Sequence, residues 1–306
     1  MKSSMIAAGI MALAIGTFPA SLKASCTDIK GEKPAVHRLK GRIIDQDGAA
    51  VEYVAVGIPG SRTGTVSSAD GKFELEIPAD ETDSLVFRHV SYMTERIPAS
   101  EYMHTDTMSV RLTGNEIDVA VVYPAETKEK TLVSKGARFP AAFGVFNPDD
   151  TGTEVGSNVK VKNRFIIKKF SFKVAACSIE GTKVSLNVYR ITDDSFENIL
   201  HRPIYIDIAE SQDMKLYEVS TEETLLLEPG EYFVSIAFVG CSEKDKKEWE
   251  EQKTWTGKKY AEASVSNQLM FPLYFKSSHV RNGAMGEISR CGLNIGMSVF
   301  GMEYYE

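Results

Sequence analysis

The stretch Gly64–Pro78, GTVSSADGKFELEIP, divides into a polar turn and an alternating run. Phe73, Leu75 and Ile77 alternate with Glu74 and Glu76, the period of a strand with one buried and one solvated face. Two serines, an aspartate and two glycines could build a ligand loop. Asp70-Gly71, however, supplies the positive φ that a tight turn demands, with Val66 and Ser68 leading in and Phe73 and Leu75 leading out. The stretch is therefore expected to be a hairpin whose two strands face one core.

The same period recurs through the chain. Phe170, Phe172 and Val174 alternate with Ser171 and Lys173; Val184, Leu186 and Val188 alternate with Ser185 and Asn187. Ile204, Ile206 and Ile208 follow, then Tyr232, Val234, Ile236 and Phe238 directly after the turn pair Pro229-Gly230. Almost no segment has the 3.6-residue period of an amphipathic helix. The expected fold is all-β, with antiparallel sheets packed as two β-sandwich domains, because each sheet's apolar face needs a second sheet to cover it. Residues 114–160, mixing charge with Gly and Pro, read as a linker and leading segment. The run Ser242–Tyr260 is charged and without apolar period, and reads as an exposed excursion between strands with room for a short helix.

A chain of 306 residues with 43% hydrophobic and 25% charged content can bury a core without metal or disulfide support. Its net charge of −7 removes the attraction to phosphate on which nucleic-acid binding depends. Residues 1–25, with Lys2, an apolar run from Met5 to Phe18 and then small residues, read as a secretory signal peptide. That run is too short to span a bilayer comfortably and no other approaches the needed length, so no transmembrane helix is expected. Cleavage falls after Ala24 or just before Cys26. The second option resembles bacterial lipoprotein processing and makes Cys26 a candidate lipidation site, although Lys23 stands where that pattern has Leu. Either way the protein is exported, to the periplasm, the outer membrane or the cell surface. Cys177, Cys241 and Cys291 remain, an odd number. They form one disulfide and a free thiol, or all three are buried as small apolar groups.

From Lys40 a specific order of features appears: Gly41 to Asp45, Asp47-Gly48, Val51 to Val56, Gly64-Thr65, Asp70-Gly71, Phe73 to Leu75, Ile77-Pro78 and Leu85 to Phe87. Residues 38–113 resemble the carboxypeptidase-like regulatory domain, common in exported proteins of Bacteroidetes-type bacteria. The resemblance implies a transthyretin-like (prealbumin-like) sandwich of seven strands and, despite the name, no peptidase. It departs at Arg88-His89-Val90-Ser91-Tyr92, where the family carries small residues and Gly-Tyr. The segment Asp118–Tyr123 resembles the short apolar piece that follows such domains ahead of an outer-membrane barrel. Residues 161–306 resemble the jelly-roll-like β-domain of uncharacterised exported proteins, a family that implies no activity.

The sequence holds no HExxH, no GxSxG elbow and no phosphate-binding Gly-rich loop. His37, His89, His104, His201 and His279 are scattered, so neither metal nor cofactor is expected. Asp149-Asp150 and Asp193-Asp194 sit in turn contexts. Trp249, Trp255 and Tyr260 cluster in the polar excursion, where they either fold it over a sheet edge or contact a ligand or partner. The expectation is a non-enzymatic binding or scaffolding module of the cell envelope, whose partner is an envelope protein or a glycan. The alternatives are a carbohydrate-binding module and then a glycoside hydrolase or other hydrolase.

Overall fold

The computed structural model describes residues 35–115, 127–133, 139–193, 195–256 and 267–304. Residues 1–25, read as a signal peptide, and Cys26, Asp118–Tyr123 and Tyr260 lie outside them.

The first seven described strands are β1 (Val36–Ile44), β2 (Ala55–Gly57), β3 (Gly64–Val66), β4 (Lys72–Pro78), β5 (Leu85–His89), β6 (Tyr92–Ile97) and β7 (Thr107–Arg111), with the short helix α1 (Ala99–Tyr102) before β7. They form two sheets, in the orders β4-β1-β7 and β3-β2-β5-β6; β1 and β7 run parallel and the other pairs antiparallel. Leu39, Ile43, Val56, Phe73, Leu75, Ile77 and Phe87 fill the space between them. The alternation at 73–77 thus places its apolar residues as read. On the opposite face Glu76 pairs with Arg38 at 2.7 Å and Glu74 with Lys40 at 3.1 Å. These exposed pairs mark the solvent side and contribute little to stability.

The turn at Asp70-Gly71 differs from its expected role. β3 pairs with β2 and β4 pairs with β1, so the turn carries the chain from one sheet to the other and joins no hairpin. It is closed by Gly71 N–H to Ser68 O (2.9 Å) and Ser68 N–H to Lys72 O (2.8 Å). Buried Ser67 anchors the crossing, its Oγ accepting from Val54 N–H at 2.9 Å. Gly71 has φ +75°, and a Cβ there would collide with the carbonyl oxygen of Ile43. Hairpin and crossover place the same demand on glycine, so local sequence does not separate them.

Thirteen further strands build the C-terminal domain: β8 (Thr127–Val133), β9 (Ala142–Phe146), β10 (Glu154–Val161), β11 (Phe165–Val174), β12 (Ala176–Cys177), β13 (Lys183–Thr192), β14 (Ser195–Asn198), β15 (Ile204–Asp207), β16 (Lys215–Leu227), β17 (Gly230–Gly240), β18 (Leu269–Arg281), β19 (Ile288–Asn294) and β20 (Ser298–Tyr304). One sheet runs β16-β11-β20-β8. The other runs β12-β18-β10-β17-β13-β14, with β15 on β13 and β9 and β19 on β18. Phe170, Phe172, Val184, Leu186, Val188, Val234, Ile236, Phe238 and Phe271 pack between them.

Residues 114–160, read as a linker and leading segment, contribute β8, β9 and most of β10, and Phe146, Val155 and Val159 belong to the C-terminal core. That core therefore begins before residue 161. β8 lies at a sheet edge and carries Lys128, Glu129 and Lys130, the last ion-paired to buried Glu303. Charge of this kind protects an edge from further pairing and hides the strand's apolar period.

The excursion at 242–260 contains helix α2 (Glu243–Thr256). Ser242 caps it: Ser242 Oγ accepts from Asp245 N–H at 3.1 Å and donates to Asp245 Oδ2 at 2.6 Å. Asp245 also accepts from Glu180 N–H at 2.9 Å, which fixes the helix to the loop before β13.

Candidate functional site

Strand β17 is buried on both faces. Val234, Ile236 and Phe238 enter the C-terminal core, while Phe233, Ser235, Ala237 and Val239 on the other face are buried as well. The N-terminal domain supplies cover on that side. Gly60 N–H donates to Met285 O at 2.9 Å, and Gly57 and Gly64 pass so close to Met285 that a Cβ on either would touch it. Ser91 Oγ donates to His201 O at 3.2 Å, and the rings of Tyr53 and Tyr205 meet edge-on at 4.8 Å. Val86 is fully buried yet belongs to neither domain core, because its side chain faces this seam.

At one end of the seam a cleft of about 290 Å³ opens between the Asp70 turn and the start of α2. Tyr53, Ser67, Ser68 and Asp70 line one wall; Gly181, Lys183, Gly240, Cys241, Glu243 and Lys246 line the other. The turn that opened the sequence reading thus forms part of a pocket completed by the second domain. Tyr53 holds φ +52°, an uncommon conformation for a bulky residue and one that concentrates at ligand-contact positions. A wider hollow of about 470 Å³ beside β1 is lined by Val36, His37, Arg38, Lys40, Asp106 and Thr107 and lies open to solvent, with no second wall.

Each charge in the cleft has a partner. Asp70 pairs with Lys72 at 2.5 Å, Lys183 with Asp207 at 2.5 Å and Lys246 with Glu243 at 2.7 Å. Hydrogen bonds from Lys72 and then Ser68 hold the Asp70 carboxyl down at about 2. It is therefore no proton donor at neutral pH. Burial pushes the Cys241 thiol up to about 12, so it is no thiolate nucleophile either. What remains is a balanced array of hydroxyls, fixed charges and one aromatic wall, suited to holding a polar ligand without net charge.

Trp249 is buried, at 5% exposure, so its ring is enclosed by the fold rather than offered to solvent. Its indole Nε1 has no hydrogen-bond partner among the described residues. Trp255 lies on the last turn of α2, but its side chain, like Tyr260 and Cys26, is outside what the structure describes. Cys177, Cys241 and Cys291 are free thiols, all within or against the C-terminal core. Asp150 Oδ2 accepts from Asn147 N–H at 2.8 Å, closing the turn expected there. Among the described residues no group of three or more His, Cys, Asp or Glu could hold a metal.

Sequence reasoning missed Tyr53, Lys183 and Lys246 as cleft residues, since their proximity arises only when the domains meet. It also missed Phe139 and Phe275, which are 72% and 75% exposed, the first just before β9 and the second midway along β18, beyond the last β9 partner Leu273. Ser242-x-x-Asp245 was a readable signal for the start of α2.

Residues 39–124 match the family model of the CarboxypepD_reg-like domain. Within the described residues the match covers β1 to β7, so the CarboxypepD_reg-like domain is the smaller sandwich, which is not a catalytic unit. Comparison with curated proteins gives no match. Among solved structures, infectious bursal disease virus of the Gx strain matches at 10% identity and TM-score 0.29, covering 90% of this chain and 81% of that one. The Gt strain matches at 8% identity and TM-score 0.24, covering 90% and 57%. A structure of carbohydrate-binding modules from the β-sandwich superfamily matches at 8% identity and TM-score 0.13, covering 70% and 100%. Likenesses this slight carry no argument. No described helix is long and apolar enough to cross a membrane.

Proposed function

We propose that the protein is an exported, non-enzymatic binding or scaffolding module of the bacterial cell envelope, and that it takes its ligand in the cleft between the CarboxypepD_reg-like domain and α2. The observation that carries this reading is the cleft itself, walled by both domains and lined by groups whose charges are already paired. At neutral pH Asp70 is held ionised and Cys241 protonated, so the first is no proton donor and the second no thiolate nucleophile. Export rests on residues 1–25, and Cys26 is the proposed point of lipid attachment. Trp255 and Tyr260, which follow α2 in sequence, are proposed as further ligand or partner contacts.

A carbohydrate is the favoured ligand within this reading, because Tyr53 offers a ring face and Ser68, Asp70 and Lys183 offer the donors and acceptors that sugar hydroxyls need. The test is a glycan array with the purified chain, repeated with Tyr53→Ala and Lys246→Ala. Hits weakened by both variants support the cleft; an array without hits, or hits that neither variant alters, rejects the glycan reading. Turnover on a hydrolase panel, abolished by replacing one carboxylate, would overturn the non-enzymatic reading. Mass spectrometry of the mature N-terminus decides whether Cys26 is acylated.

A further inference from the structure

Beyond the cleft, and sharing no residue with it, the seam gathers positive charge. In the β2–β5 register Gly57 faces Val86 and Ala55 faces Arg88, while Val86 also faces Arg96 across β5–β6. Gly57 and Val86 lie on the seam side of this sheet, so Arg88 and Arg96 share that side. Arg281 reaches the seam from β18. Its guanidinium sits 5.4 Å over the ring of Tyr189, and its Nη1 is 3.5 Å from Glu154 Oε2. Glu154 is already engaged: Oε1 accepts from Asn187 Nδ2 at 2.9 Å and Ser235 Oγ at 2.5 Å, and Oε2 accepts from Tyr189 OH at 3.2 Å.

Arg281 alone meets Glu154, whose oxygens are already engaged, and Arg88 lies close enough to Arg281 and Arg96 to feel both charges. Among the described residues neither Arg88 nor Arg96 has an ion pair, and the buried Nε of Arg281 has no hydrogen-bond partner. Arg88 and Arg96 are exposed at the rim of the seam, and partial burial, then the charges of Arg281 and Arg96, hold Arg88 below its ordinary pKa. We propose that Arg88, Arg96 and Arg281 form a binding site for an oxyanion, the carboxylate, sulfate or phosphate group of a small ligand seated between the two domains. Planar N–H forks suit such groups, which they hold through paired charged hydrogen bonds.

The test titrates the purified chain with sulfate, phosphate and glucuronate against chloride at constant ionic strength, reading the melting temperature and the heat of binding. At least one of the three should raise the melting temperature saturably, and Arg88→Gln and Arg96→Gln should each weaken that binding about tenfold. Glucuronate acting alone supports the site and assigns it to a sugar acid; sulfate or phosphate acting alone supports it and assigns it to an inorganic oxyanion or its ester. No saturable effect from any of the three, or an effect unchanged in both variants, overturns the proposal. Because the variants lie outside the cleft, either result leaves the glycan array to be decided separately.

Discussion

The imidazole Nε2 of His89, on the smaller sandwich, lies 3.2 Å from the phenolic oxygen of Tyr205 on the larger one. Its Nδ1 accepts from Ser91 N–H at 3.2 Å, so the ring is the neutral tautomer with the proton on Nε2, donating to Tyr205. A second proton would occupy Nδ1 and break the Ser91 bond. Burial accordingly holds the folded-state pKa down at about 4. In the unfolded chain the ring takes its proton at about pH 6.5. His89 therefore stabilises the fold fully above that pH, and its contribution is lost as pH falls from about 6.5 to about 4, by up to ~3 kcal/mol. Urea unfolding across this range should show the decline, and His89→Gln should flatten it. Identical pH slopes in parent and variant would rule His89 out as the source.

Gly71 and Gly48 separate backbone strain from steric collision. Both have positive φ, +75° and +85°, but a Cβ on Gly71 would strike the Ile43 carbonyl, whereas one on Gly48 meets nothing within 4 Å. Gly48→Ala should cost about 1–2 kcal/mol, and Gly71→Ala about 2–5 kcal/mol because the crossover must also shift. Equal losses in chemical denaturation would show that the approach to Ile43 is unimportant.

Asp70→Asn tests whether the turn is also a ligand wall. Asparagine serves the turn equally well, and the lost pair with Lys72 is solvent-exposed. The melting temperature at neutral pH should therefore stay where it is. What the depressed carboxyl contributes is present above its ordinary pKa and lost as pH falls toward about 2, and full solvent exposure makes it slight, so parent and variant should also unfold at closely similar pH on acidification. Affinity for any ligand held in the cleft should fall. Unaltered affinity would remove Asp70 from the site.

Glu154 is 1% exposed and accepts from three side chains besides pairing with Arg281. Glu154→Ala leaves a buried guanidinium uncompensated and should cost ~3–5 kcal/mol. Glu154→Gln keeps an acceptor for its neighbours and should cost less. Denaturation midpoints that rank the two variants in the opposite order would contradict the charge-based account.

Much of the fold is written locally. Phe73, Leu75 and Ile77 point inward as their alternation requires, and Val184, Leu186 and Val188 do the same. Failures occur where a distant partner decides. The 70–71 turn was legible as a turn, but which sheet each flank joins depends on β1 and β2, not on the turn. Phe275 continues the inward series of Phe271 and Leu273, yet is exposed where β18 has run past its last β9 partner, Leu273. For Trp249 the sequence left open a fold over a sheet edge or contact with a ligand or partner, and the residue is buried on the capped helix. The cleft was illegible for the same reason, since each wall is an ordinary surface until the other domain meets it.

The departure from the family pattern at Arg88–Tyr92 falls where the chain meets its neighbour: His89 reaches Tyr205, and Ser91 reaches His201. A resemblance built on one domain in isolation has no account of residues chosen by a second.

The double-sided burial of β17 makes the small sandwich the outer layer of a three-layer stack. Cutting the chain between residues 115 and 127 would uncover Met285 on one fragment and Val86 on the other, leaving each sticky and prone to self-association. The two domains thus meet through matched surfaces, and a graft that exchanges the first must bring a surface shaped to the second.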